Sequence, residues 1–190
     1  MFVRPLGRPV NVFTHHTTYV TEQVVQPAPP VQIDPCAFSE TQAWEALAQG
    51  NVHVAIEAFA CLARGDAYDA LMHVGYAIAN AELGADESAI AVMRHAVQID
   101  AESLLQVPAD EQLDERILSL LDRFGQQAVD GVRPGDALFM VAALRTALHD
   151  DAGAYFAVTE AIRHGSNDVA ALRLQAMLSE LLQAQMVPAG

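Results

Sequence analysis

The chain has 190 residues, a hydrophobic fraction of 52% and a formal net charge of −14. That length and apolarity suit one domain with or without an appendage, and no run approaches the ~18 apolar residues of a membrane span, so membrane insertion is not expected. A surface of that sign repels phosphate backbones, which excludes nucleic acid as an expected partner.

Residues 1–36 differ from the rest. Arg4 and Arg8 balance Glu22 and Asp34, so the whole net charge falls on the remainder. Met1–Gly7 carries Arg4 without an apolar run behind it, so no secretory signal is expected in this chain. The compartment stays open between the cytoplasm and a bacterial cell envelope. Val10–Thr14 and Thr17–Thr21 are β-branched and lack helical periodicity, and Pro27–Pro30 imposes an extended path. The segment reads as an extended arm or linker, with one short strand at most.

Helical periodicity begins near Ala37. Ser39 with Gln42 forms a capping-box pattern, and the first helix should end at Gly50. A second helix spans Val52–Ala63 and closes at Gly65. Asp66 or Asp69 can cap a third, which runs through Leu71, Val74 and Ile78 to Gly84. Asp86 and Glu87 open a fourth, with acids at its positive end. Ala101–Pro108 is irregular and stops at a proline. Asp110 and Glu111 start a longer helix whose Leu113, Ile117, Leu120 and Phe124 trace one face. Gly131 and Pro134-Gly135 end it. A further pair covers Ala137–His149 and Ala152–Arg163. Ser166, Asn167 and Asp168 cap a last helix carrying Leu174, Met177 and Leu178, suited to act as a terminal lid, and Val187–Gly190 should fray.

Two of these pairs repeat. Gly50, Ala55, Ile56 and Phe59 recur 34 residues later as Gly84, Ala89, Ile90 and Met93. Ala154, Val158 and Ala161 continue the pattern about two repeat lengths further on. Self-similarity at this period marks helix pairs that cannot bury their apolar faces alone. At these residues the chain resembles the tetratricopeptide repeat family over 37–185, most closely over 43–101. There Ala96-Val97-Gln98-Ile99-Asp100-Ala101 is similar to the family's Ala-Leu-Glu-Leu-Asp-Pro ending. Alanine replaces the final proline, and the Trp-Leu-Gly-Tyr signature is largely missing, with Gly75-Tyr76 a partial echo. The layout resembles, more loosely, bacterial envelope-associated repeat proteins without assigned activity.

The resemblance implies an all-α, right-handed solenoid of helix pairs with about eight helices and an extended N-terminal arm at 1–36. Its pairs would lie at about 38–64 and 67–99, a degenerate unit at 101–131, a pair at 135–164 and a capping helix at 167–185. Transferring the family's ligand-facing offsets puts Glu40, Trp44, Leu71, Ile78, Asp136, Phe139 and Thr146 on the concave side. The alternative packs Trp44 and Phe139 in the core.

Chemistry-bearing motifs are sparse. Cys36 and Cys61 make neither a disulfide framework nor a metal site, and Cys61 fits a small buried apolar residue. His15-His16 point to opposite sides of an extended segment and cannot share one ion unaided. His73 and His95 fall on different helices, and His149 suits a charge at a helix C-terminus. Asp110, Glu111, Asp114 and Glu115 lack the spacing and central glycine of a calcium loop. No cofactor, metal or catalytic set is expected. The function expected is a non-catalytic scaffold that holds a partner peptide or helix. The alternative is an assembly subunit that oligomerises through residues 10–25 or fills its own groove with the arm.

Overall fold

The structure, a computed structural model, describes residues 35–186, which belong to the second of two units of the chain, Met1–Gln32 and Ile33–Gly190. The strand expected in the arm, the contact at 10–25, the His15-His16 pair and the fraying of Val187–Gly190 lie outside the described residues. Among these, all regular structure is helical: eight α-helices and two 3-10 turns, with no strand. None of the helices is long and apolar enough to cross a membrane.

A 3-10 turn at Pro35–Ala37 leads into α1 (Glu40–Ala48), followed by α2 (Val52–Gly65), α3 (Ala70–Glu82) and α4 (Asp86–Ile99). The Ser39 hydroxyl accepts from the Gln42 N–H while the Gln42 side chain accepts from the Ser39 N–H, completing the capping box. Asp69, rather than Asp66, caps α3 by accepting from the Met72 N–H. A second 3-10 turn, Ala101–Gln106, precedes α5 (Glu111–Asp130), α6 (Pro134–Ala147), α7 (Asp151–Arg163) and α8 (Val169–Met186). The acids that begin α5 act as a cap, with Asp110 accepting from the N–H groups of Gln112 and Leu113.

The turns after α1, α3, α6 and α7 have one construction. Gly50, Gly84, His149 and Gly165 adopt φ values of 79°, 84°, 57° and 93°. In each, the residue at positive φ donates its N–H three positions back, to Leu47, Ala81, Thr146 or Ile162. The next residue donates five back, to Ala46, Asn80, Arg145 or Ala161. This pairing satisfies carbonyls that a helix end would otherwise leave exposed. His149 holds the left-handed position that glycine fills in the other three turns.

Core positions repeat with the turns. Ala43, Ala77 and Ala142 are fully buried, as are Ala55, Ala89 and Ala154, and Phe59, Met93 and Val158. Small residues let the helices approach, and the larger third member of each set fills the space between them. Gly75 extends the principle to the contact of α3 with α2, since a Cβ there would overlap the Phe59 ring.

The stretch 101–131, expected as a degenerate helix pair, holds a single α-helix. Only a 3-10 turn and the 20-residue α5 occupy it, and α5 packs on α6 and reaches α1 and α3. Helix α8 touches α4 and the second 3-10 turn as well as α7, so it is more than a lid on the last pair.

The cysteines correct the sequence reading. Cys36 and Cys61 form a disulfide, with Cα atoms 5.2 Å apart. The 3-10 turn lies against α2, which brings two residues 25 positions apart within bridging range.

Candidate functional site

Helices α1, α3 and α6 carry the residues expected to contact a partner, and α5 covers part of this ground. The apolar stripe Leu113, Ile117, Leu120 and Phe124 is buried along one side of α5. Flanking it, Arg116 donates from Nε to the Ala48 carbonyl at 2.9 Å and pairs with Glu82 at 3.1 Å. Two turns later, Arg123 donates to the Ala81 carbonyl at 2.6 Å and to Asp86 at 2.7 Å. The insert therefore caps the ends of α1 and α3 with guanidinium groups, which suit the negative end of a helix dipole.

Four of the seven candidates are core residues, which corrects their assignment to a ligand-facing surface. Trp44 is 4% exposed and meets Phe59 edge-on, with ring centroids 4.9 Å apart. Ile78, Phe139 and Thr146 have no exposed surface. The Thr146 hydroxyl donates to the Ala142 carbonyl at 2.9 Å, closing its polar group within α6. The physical reason is shared: these positions face other helices of the domain.

The other three stay nearer the surface. Glu40 is exposed and borders a recess of about 270 Å³ that includes Thr41, Trp44, Glu45, Pro108 and Asp110. Leu71 is half-buried on α3. Asp136 is committed to an ion pair, because Arg94 of α4 reaches it at 2.6 Å. Arg94 also donates to the Ser166 hydroxyl at 2.8 Å, pairs with Asp168, and lies 4.5 Å above the Phe139 ring. One guanidinium thus ties α4 to α6 and to the start of α8.

A different concavity lies between α2, α3 and α4. Ala60, Ala63, Ala91 and Val92 supply its apolar walls, and Arg64, His73, Tyr76 and His95 its polar groups, around about 480 Å³. The His73 and His95 rings meet edge to face with centroids 4.9 Å apart. A ring nitrogen of His73, Nε2, lies 3.3 Å from the Ala67 carbonyl, which it reaches as a donor when protonated. Arg64 donates to the Ala60 carbonyl and to Cys61 Sγ, both at 3.0 Å. Apolar walls with a few convergent donors are the usual makeup of a recognition pocket.

The sequence places His73 and His95 on separate helices, 22 residues apart, and they meet because the short turn after α3 folds α4 back against it. Among the described residues, no three His, Cys, Asp or Glu side chains are grouped to hold a metal ion. Comparison with protein-family models, curated proteins and solved structures finds no match to the chain.

Proposed function

We propose that the chain is a tetratricopeptide-like scaffold, a right-handed solenoid of helix pairs, that holds a protein partner without chemical transformation. The observation that carries this reading is the threefold repetition of one turn and one set of buried positions across α1–α2, α3–α4 and α6–α7. Such units present extended surfaces built from successive pairs.

The partner surface is the α2–α3–α4 cleft. It combines apolar walls with exposed or half-buried Arg64, His73, Tyr76 and His95, whereas α5 takes up contacts on α1, α3 and α6. The Cys36–Cys61 bridge favours the cell envelope over the cytoplasm, because disulfides persist in oxidising compartments.

Affinity capture with the full chain tests the assignment, using a variant in which Ala91→Arg and His95→Glu block the cleft. A protein retained by the parent and lost by the variant is the expected result, with far-ultraviolet circular dichroism unchanged. Equal retention by both would move the partner surface off this cleft. Capture of nothing by either would overturn the scaffold reading.

A further inference from the structure

We propose that the α2–α3–α4 cleft takes an apolar peptide segment with a single acidic side chain, whose carboxylate seats on Arg64. This rests on the reading of that cleft as the partner surface and adds the chemistry of the partner.

Charge sets this recess apart. The chain carries 24 acids against 10 arginines, and carboxylates border other hollows of the domain. Glu40, Glu45 and Asp110 flank the recess beside Trp44, while Asp86, Glu87 and Asp136 flank one between α4, the end of α5 and α6. Among the described residues, no carboxylate lines the α2–α3–α4 cleft. Asp66 and Asp69, in the turn that joins α2 to α3, accept instead from the backbone N–H groups of Tyr68 and Met72.

Arg64 is exposed, and among the described residues it belongs to no ion pair. Its Nε donates to the Ala60 carbonyl and its Nη2 to Cys61 Sγ, both at 3.0 Å. Those bonds hold the guanidinium at the cleft, use two of its five N–H groups and leave three for a ligand. A carboxylate accepts from such a group through both oxygens. His95, exposed on α4, offers a ring N–H from another wall of the same space. Ala60, Ala63, Ala91 and Val92 give the rest of the segment an apolar bed. The volume, about 480 Å³, is that of pockets which enclose a small ligand, and so suits a few residues.

The surrounding charge limits the acid count. A net charge of −14 opposes every further negative group brought to the surface, so one acid among apolar residues fits better than an acidic run. A basic segment would set its cation against Arg64.

The test presents the full chain to immobilised pools of short peptides, random over Ala, Val, Leu and Ser and fixed at the centre as Glu, Gln or Lys. Oligoglutamate serves as a further probe. Retention on the Glu-centred pool should exceed that on the Gln-centred pool and on oligoglutamate about tenfold, the effect of one charge-assisted contact. Arg64→Met should erase the preference for Glu over Gln, and Arg64→Glu should turn it toward Lys. Melting of both variants should match the parent. Equal retention on the Glu- and Gln-centred pools, stronger retention on oligoglutamate, or retention of no pool would overturn the proposal. So would a preference unchanged in Arg64→Met. If peptides bound without regard to charge are lost from the Ala91→Arg/His95→Glu variant, this proposal falls and the cleft stands as the partner surface. If that variant holds the Glu-centred pool as well as the parent, both readings fall.

Discussion

His149 holds its backbone at a φ of 57°, in a conformation that side chains with a Cβ adopt at a cost of about 1 kcal/mol. Gly84 occupies the equivalent place at 84°, and a Cβ there would meet nothing within 4 Å. Substitutions at the two positions should therefore shift stability in opposite directions. Gly84→Ala should destabilise by about 1 kcal/mol, and His149→Gly should stabilise by about 0.5 kcal/mol, the gain being reduced by the greater freedom of unfolded glycine. Urea unfolding of both variants checks this, and the same sign for both would refute the shared-turn argument. The 34-residue spacing of Gly50 and Gly84 is visible in the chain because glycine advertises such a turn. The third turn stays hidden because histidine fills it, and only the chain's return five positions back betrays it.

At the scale of elements, α5 shows what periodicity can and cannot reveal. Its stripe of Leu113, Ile117, Leu120 and Phe124 follows from the period of a helix, and all four are buried. What covers the stripe is set by residues far along the chain, so the pattern alone could not tell that α5 would lie against α1, α3 and α6. Trp44 and Phe139 were ambiguous for the same reason, since a large apolar residue serves a groove or a core equally well. Arg123 anchors the arrangement by satisfying the Ala81 carbonyl and Asp86 together. Arg123→Met keeps the apolar stem and removes both bonds, so it should destabilise by about 2 kcal/mol. Amide exchange should quicken along α5 and at the end of α3 before it changes in α7. Uniform acceleration throughout the domain would argue against a local anchor.

For the molecule as a whole, long-range cohesion is concentrated in few polar groups. Arg94 joins α4, α6 and the start of α8 through Asp136, Ser166 and Asp168, with its side chain 16% exposed. Arg94→Met would leave Asp168 without its ion-pair partner and Asp136 with only the more distant Arg133, at 3.9 Å. It should lower stability by about 2 kcal/mol and the melting temperature by about 4–8 °C. Asp136→Asn should cost less, because Asp168 and Ser166 would still engage the guanidinium. Equal melting of parent and Arg94→Met would show that apolar contacts alone hold these helices. The disulfide was illegible for a related reason: two cysteines 25 residues apart say nothing of proximity until the first turn is placed on α2.

Arg116 and Arg123 stand seven residues apart, an advance of about 10.5 Å along α5. At that interval the two guanidinium groups reach the Ala48 carbonyl at the end of α1 and the Ala81 carbonyl near the end of α3. One helix thus works as a strut bolted across the ends of two others. Under tension, α1 and α3 should yield together, and the strain should pass to contacts beyond the strut's reach.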